Sequence, residues 1–234
     1  MKFFRLIRKF FWLRIRIWNK NILATPRVVS YADKFVIETE TQEMRDYLKE
    51  TGKMYSSSMQ SPVSEVRFIT LLIKAIKAKR VLELGTFRGF TAAEMAQALP
   101  PDGELITCES RSEHTEYSQK WFSRLGLNDK IRLVQGKGVE ILEGLIQEKQ
   151  HFDLIFIDAN KGDYKTYFEQ SLQLIKPGGL ILLDNTLWAS LVTYEKSEDK
   201  MADWMKEINK IVFNKMGQNA VILPIWDGLT IVVA

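Results

Sequence analysis

Five short apolar runs alternate with helical stretches through the middle of the chain. Short runs that are mostly apolar are typical of strands buried on both faces. The runs are Val81–Leu84, Leu105–Cys108, Ile131–Val134, Leu154–Ile157 and Leu180–Leu183. The helical stretches between them lie near 90–99, 112–125, 138–149 and 163–175. This repeated strand–helix order predicts an α/β fold with a doubly wound, mostly parallel sheet.

The flanks of this region add helices and an antiparallel pair of strands. The second upstream helix opens with Ser61-Pro62, a cap residue followed by proline at the first helical position. The expected flanking elements are helices over 40–51, 62–78 and 200–216, a turn at 176–179 before the fifth strand, and a hairpin of Ala220–Pro224 and Leu229–Val233. The hairpin brings the predicted sheet to seven strands.

Residues 1–20 differ from the rest of the chain. They carry seven basic side chains and no acid, so the formal net charge of +4 combines a basic leader with a body of net charge −3. Wound as a helix, the segment separates cations from large apolar residues. It predicts an amphipathic helix over 1–24, followed by a break at Ala24-Thr25-Pro26 and a folded domain over 25–234. The acidic body gives no indication of nucleic-acid binding.

Several functions compete for this leader. Cations every few residues exclude a spanning helix, and the absence of a continuous apolar core argues against a secretory signal. A mitochondrial presequence fits the basic charge but not the lack of serine, and packing against a partner subunit stays open. We favour a helix lying in the plane of an anionic membrane, which predicts a cytoplasmic protein held on the inner face of that membrane.

Composition excludes other classes of site. One cysteine cannot form an internal disulfide or a cysteine-rich zinc site. The two histidines, His114 and His151, leave little room for a histidine-built metal centre, and both are predicted at the surface. At 46% hydrophobic and 26% charged residues, the chain is typical of a globular protein.

A glycine turn after the first apolar run indicates a cofactor site. Gly85 allows the backbone to approach a ligand closely, and a helix begins just after it. Its spacing to Gly89 is G-x-x-x-G, not the G-x-G-x-x-G of nicotinamide enzymes. Glu109 ends the next strand and can accept hydrogen bonds from a ribose. Glu83 lies inside an apolar strand, where it requires a partner such as an amine.

Oxygen ligands follow two later strands. Asp158 ends the fourth run, and Asp184 with Asn185 ends the fifth. Because parallel strand ends share one edge about 4.8 Å apart, the three side chains can converge on one ion. An all-oxygen set favours Mg²⁺, Mn²⁺ or Ca²⁺ over zinc, with Mg²⁺ expected. A turn after the strand is the simpler interpretation of Asp184-Asn185 by themselves.

The region from about Thr41 onward resembles the cation-dependent class I O-methyltransferases, the family of caffeoyl-CoA and catechol O-methyltransferases. The resemblance covers about four fifths of the chain. The blocks that carry it are VLELGTFRGFTA, LPPDGELITCE, WFSRLGLNDKIRLVQGKGVEIL, FDLIFIDANKGDY, LIKPGGLILLDNTLW and PIWDGLTI. One departure is Asn160, where the family usually has a second aspartate.

The resemblance implies a role for each matching residue. It makes Lys161 the catalytic base beside Asp158, and Asp158, Asp184 and Asn185 the ligands of a divalent cation. The implied S-adenosylmethionine contacts are Met59, Ser61, Glu83, Gly85, Thr86, Thr91, Glu109, Gly138 and Asp158. The implied function is S-adenosylmethionine-dependent methyl transfer to a small vicinal diol of catechol type, by a homodimer. The alternatives are an idle binding protein of this fold and a nicotinamide-dependent oxidoreductase.

The membrane hypothesis predicts salt-sensitive binding to anionic vesicles. Each Lys or Arg near such a surface contributes about 1 kcal/mol, so full-length protein should co-sediment with anionic but not neutral vesicles at low salt. Protein beginning at Thr25 should stay in the supernatant. If both forms stay in the supernatant with anionic vesicles, the subunit-contact interpretation replaces the membrane one.

Overall fold

The computed structural model of this chain describes residues 26–51, 59–195 and 198–234. Its strands are β1 Arg80–Leu84, β2 Glu104–Glu109, β3 Ile131–Gln135, β4 Phe152–Ile157, β5 Ile175–Leu183, β6 Ala220–Leu223 and β7 Leu229–Val233. They form one sheet in the order β3-β2-β1-β4-β5-β7-β6. The first five strands are parallel, and β7 runs antiparallel to both β5 and β6. The predicted doubly wound, seven-stranded sheet with a closing hairpin is confirmed.

The helices of the described ranges include one that the sequence pattern did not predict. They are α1 Pro26–Glu38, α2 Gln42–Thr51, α3 Val63–Ala75, α4 Phe90–Ala98, α5 Ser112–Arg124, α6 Gly138–Gln147, α7 Tyr164–Leu174 and α8 Lys200–Met216. Pro26 begins α1 instead of only breaking the chain, because proline suits the first helical position. The predicted helix over 1–24 lies outside the described residues. Within the parts described, no helix combines the length and apolar character needed to cross a membrane.

Alternate residues of the parallel strands build two cores, one on each face of the sheet. Val81 and Leu154 belong to the core that α3, α4 and α5 cover, together with Met44 and Tyr47 of α2. Leu82 and the other strand residues whose side chains point to the opposite face belong to the core that α6, α7 and α8 cover. Burial on both faces explains the mostly apolar sequences of β1, β2, β4 and β5. The edge strand β3 is only partly buried, with Arg132 exposed, so the expectation of burial on both faces is wrong there.

The turn predicted at 176–179 is instead an irregularity inside β5. Ile175 pairs with Phe152 and Leu180 pairs with Leu154, so the four intervening residues stand opposite the single residue Asp153. The Nζ atom of Lys176 lies 2.6 Å from Oδ1 of Asp153. The ion pair and the pairing before and after the segment keep it within the strand, so the prediction of a separate turn is wrong.

The register of the sheet sets the candidate site. Leu84 is opposite Ile157, and Ile157 is opposite Leu183. The residues that follow these three strand ends are Gly85, Asp158 and Asp184. Because neighbouring parallel strands are about 4.8 Å apart, these residues form one row along the carboxyl edge. The strand order reverses between β1 and β4, which is where open α/β sheets bind ligands.

Candidate functional site

A cavity of about 1170 Å³ opens at this carboxyl edge. The predicted site residues that line it are Met59, Ser61, Gly85, Glu109, Gly138, Asp158, Lys161, Asp184 and Asn185. Three further predicted cofactor residues, Glu83, Thr86 and Thr91, are buried but are not among its lining residues. The structure therefore brings the predicted cation and base residues into the same cavity as most of the predicted cofactor residues.

The turn after β1 packs directly against the end of β4. Gly85 has a φ of +100°, and a Cβ atom placed there would lie 1.9 Å from the carbonyl oxygen of Asp158. The backbone N–H of Asp158 donates to the carbonyl of Leu84 at 2.9 Å. Only glycine permits both this conformation and this approach. The contact joins the ends of β1 and β4 at the floor of the cavity.

The carboxylate of Glu109 is fixed by the backbone around it. The N–H groups of Phe87 and Arg111 donate to its two oxygens at 2.8 and 2.9 Å. His114 Nδ1 lies 3.7 Å from Glu109 Oε2, and its ring packs edge-on against the ring of Phe87, 4.8 Å between centroids. The carboxylate is thus held at the cavity wall, where it can accept hydrogen bonds from a bound ligand.

The surface position predicted for His114 is wrong, because this side chain is only 7% exposed. It sits in the first turn of α5 and lines the cavity beside Glu109. The residues around it in the helix are mostly polar, so the sequence pattern did not indicate that this side chain points inward. His151 is exposed, as predicted.

Glu83 is fully buried within β1. The hydroxyl of Thr107 donates to its Oε2 at 2.5 Å, and Thr107 also contacts the hydroxyl of Thr86. Its other oxygen, Oε1, has no hydrogen-bond partner among the described residues. Burial raises the pKa of Glu83 to about 8. Within the described residues, Glu83 is therefore only partly satisfied, and the amine partner expected for it stays a prediction.

The opposite end of the cavity holds four acids and one lysine. Asp158 and Asp184 follow β4 and β5, Glu65 comes from the first turn of α3, and Asp227 comes from the β6–β7 connection. Burial, followed by the charge of Asp158, raises the pKa of Asp184 to about 7. Burial also raises the pKa of Asp227 above its ordinary value. This arrangement concentrates negative charge, which would favour a cationic ligand.

Glu65 is the member of this acidic group that sequence reasoning noted only as a helix-start residue. It is 1% exposed, and its Oε1 has no partner among the described residues. Burial raises its pKa well above the ordinary value, and the neighbouring Asp184, with which it shares a hydrogen bond, raises it further. The one available signal was an acid among the apolar positions of α3, which also fits an ordinary acidic first turn.

Lys161 is directed into the same corner by two short contacts. Its Nζ atom donates to Asp158 Oδ1 at 2.8 Å and to the hydroxyl of Tyr164 at 2.7 Å. The Tyr164 hydroxyl in turn donates to the carbonyl oxygens of Ile157 and Asp184, 3.2 Å from each. The lysine therefore has a defined position beside the strand ends.

The donor chemistry of this corner fits a hard divalent cation. Asp158 and Asp184 offer carboxylates, and Asn185 adds an amide oxygen. Among the residues that the structure describes, no three His, Cys, Asp or Glu side chains form a ready-made ion site. The candidate set contains only two carboxylates, with the unpartnered oxygen of Glu65 nearby, so its third ligand would be the amide.

The sequence of residues 34–234, nearly all of the described fold, matches the O-methyltransferase family. The chain belongs to the O-methyltransferase family. The resemblance to the family of caffeoyl-CoA O-methyltransferases stated above is confirmed, and so is the expected enzyme class, an O-methyltransferase. Membership disfavours the nicotinamide-dependent alternative.

Plant enzymes are among the similar curated proteins. The chain is 35% identical to a caffeoyl-CoA O-methyltransferase of Populus kitakamiensis, over 82% of this chain and 86% of that one. It is 36% identical to tricin synthase 1 of Oryza sativa subsp. japonica, over 91% and 90%. These two relatives are named for different reactions, so family membership leaves the methyl acceptor open.

Solved structures of more distant proteins share the fold. The O-methyltransferase TomG of Streptomyces achromogenes, solved with S-adenosylmethionine, has a TM-score of 0.77 at 24% identity, covering 88% of this chain and 96% of that one. An O-methyltransferase of Bacillus cereus has the same TM-score at 23% identity, covering 88% and 100%. At these identities the likeness concerns the fold alone.

The buried Glu83 gives a prediction about pH and stability. Its pKa is about 8 in the folded protein against 4.5 for an ordinary glutamate. Between these two pKa values the folded state keeps a proton on Glu83 that the unfolded state has lost. The contribution of this proton to the unfolding free energy is fully present below pH 4.5 and is lost as the pH rises through 8. For this one group the unfolding free energy should fall by up to about 1.4 kcal/mol per pH unit in that window.

Denaturant unfolding of the cofactor-free protein between pH 5 and 8.5 checks this. Glu83→Gln should have a shallower pH dependence than wild type, because glutamine does not ionise. Glu148→Gln, which changes an exposed glutamate, is the matched control and should leave the slope unchanged. Equal slopes for wild type and Glu83→Gln would contradict the assignment.

Proposed function

We propose that this enzyme transfers the methyl group of S-adenosylmethionine to a hydroxyl oxygen of a small vicinal diol of catechol type, with a divalent cation. The observation that carries the proposal is the division of one cavity into two ends. Glu109 stands at one end, and Lys161 stands with Asp158, Asp184 and Asn185 at the other. A cofactor with a ribose and a diol with two oxygens would suit these ends.

The cofactor end supports S-adenosylmethionine through fixed hydrogen-bond acceptors. The Glu109 carboxylate, held by two backbone N–H groups, is placed to accept from the ribose hydroxyls. Gly138 begins α6 with no room for a side chain, because a Cβ there would lie 2.9 Å from the Tyr167 ring. We assign this narrow backbone to the adenine. The unpartnered Oε1 of Glu83 suits the amino group of the methionine end, once the turn above it opens to that group.

Asp158, Asp184 and Asn185 would hold the cation at the acceptor end. When bound there, a divalent cation supplies positive charge that lowers the pKa of a nearby hydroxyl. The proposal fits the raised pKa of Asp184, because burial and the charge of Asp158 raise this pKa and a bound cation would offset both. Mg²⁺ is the expected ion because every proposed ligand atom is oxygen.

Lys161 is proposed as the general base for the acceptor hydroxyl. Its Nζ atom is held between Asp158 and the Tyr164 hydroxyl, so its position is defined before a substrate arrives. A neutral amine at this point would accept the hydroxyl proton while the oxygen attacks the methyl carbon in line with the departing sulfur. The chain thereby contributes positioning and proton transfer, and the product thioether leaves with the sulfonium charge neutralised.

The cation hypothesis predicts loss of activity with chelator and recovery with Mg²⁺ or Mn²⁺. Methyl transfer to catechol should also be abolished by Asp184→Ala, and calorimetry should find Mn²⁺ binding weakened in the same variant. Asp203→Ala, which removes an exposed aspartate of α8, is the control and should keep both properties. Full activity of wild type in excess chelator would overturn the cation hypothesis.

The base hypothesis predicts a large effect on turnover with little effect on cofactor binding. Lys161→Met should lower kcat by about 10²–10⁴-fold, the usual size of general-base catalysis, because methionine keeps the length of the side chain but cannot accept a proton. Lys165→Met changes an exposed lysine of the neighbouring helix and should turn over normally. Near-normal kcat in Lys161→Met at neutral pH would assign the proton to another group.

A further inference from the structure

The acceptor end of the cavity has an aromatic wall that the acid and base residues do not explain. Trp226 lies in the β6–β7 connection, lines the cavity and precedes Asp227 of the acidic group. We propose that Trp226 determines acceptor specificity: its anchored indole forms a flat wall that favours a planar aromatic diol over a non-planar one. This inference rests on the proposed function and adds a residue that selects the substrate.

A hydrogen bond to a helix distant in sequence holds the Trp226 side chain across the acceptor end. The indole Nε1 donates to the hydroxyl of Ser64 at 3.0 Å, although the two residues are 162 positions apart. Ser64 is the neighbour of Glu65 in the first turn of α3. The ring therefore connects the C-terminal hairpin with the helix that supplies an acid to the same corner. A side chain held at both its backbone and its N–H has little rotational freedom left.

The backbone at Trp226 is also strained. Its φ is +49°, in the left-handed region that bulky residues rarely adopt. Such conformations persist only where the surrounding structure enforces them, and they concentrate at ligand sites. The surrounding structure thus holds a large aromatic residue in a backbone conformation that glycine would adopt more easily.

The neighbouring loop after β5 also contains residues with a left-handed backbone conformation. Its residues with positive φ are Asn185, Trp188, Ala189 and Ser190. This loop is hydrogen-bonded to the hairpin: the N–H groups of Thr186 and Leu187 donate to the carbonyls of Gly228 and Asp227, each at 2.9 Å. The Ala189 N–H also donates to the Asp227 carboxylate. The two loops thus form one rim, which holds Trp226 next to Asp227, and the Asp227 side chain is hydrogen-bonded to the proposed cation ligand Asn185.

A rigid indole face has a predictable effect on selectivity. Ring-to-ring contacts in offset or edge geometry stabilise aromatic pairs beyond simple burial. A planar catechol can lie against the ring while its oxygens reach the acidic corner, whereas a puckered saturated ring contacts the indole through fewer atoms. The wall should therefore act on binding of the acceptor and leave the methyl-transfer step largely unaffected.

The test compares catechol with cis-1,2-cyclohexanediol in the full-length protein with S-adenosylmethionine and Mg²⁺. Trp226→Gly should fold, because glycine accepts the +49° backbone without strain. It should raise KM for catechol about 5- to 10-fold, in the range of one aromatic contact, with kcat within about twofold. The ratio of the affinities for catechol and for the saturated diol, the latter measured as an inhibition constant against catechol, should fall accordingly. Trp226→Phe should restore most of the ratio.

Two further measurements make the outcome decisive. Lys77→Gly relieves a similar left-handed backbone, φ +54°, at an exposed residue away from the cavity, and it should leave the ratio unchanged. Equilibrium dialysis of catechol against protein bound to S-adenosylhomocysteine and Mg²⁺ follows binding without turnover. An unchanged ratio in Trp226→Gly, with catechol still bound and methylated by wild type, would overturn this inference alone. Absence of catechol binding and methylation by wild type would overturn the proposed acceptor class and this inference together.

Discussion

The close approach of the β1 turn to the end of β4 is the constraint on which the site depends. Because Gly85 meets the backbone of Asp158, the carboxyl ends of the two strands are locked together at the point where the strand order reverses. The parallel register then fixes Asp184 one strand further along the same row. The proposed cofactor end and the proposed acceptor end of the cavity consequently lie along one edge of the sheet, an arrangement that would suit a direct group transfer.

The same edge concentrates buried acids. Burial raises the pKa values of Glu83, Glu65 and Asp184, the first inside β1 and the other two at the acceptor corner. Each is a cost to the folded protein unless a positive group offsets it. S-adenosylmethionine offers an amine and a sulfonium, and the proposed cation offers two charges. The proposed ligands would thus bring positive charge to the part of the fold where buried acids have the fewest partners.

Sequence reasoning reached the features that depend on neighbouring residues and missed those that depend on distant ones. Continuous apolar runs predicted the parallel strands, and the acids that directly follow those runs were placed at one edge because strand ends coincide. Trp226 reaches the site only through its contact with Ser64, 162 residues away, which no local pattern encodes. His114 was missed for a different reason: its partner Glu109 is only five residues away, but the mostly polar helix around His114 is typical of an exposed surface. Helix α1 was missed because Pro26 indicates a break as readily as a beginning.

The central claim is that Asp158, Asp184 and Asn185 form a cation site, and anomalous diffraction from crystals grown with Mn²⁺ tests it most directly. The account predicts one manganese peak at the carboxyl edge of β4 and β5, about 2.0–2.4 Å from an oxygen of each of the three side chains. Manganese at another position, or no peak in this corner at saturating Mn²⁺, would contradict it.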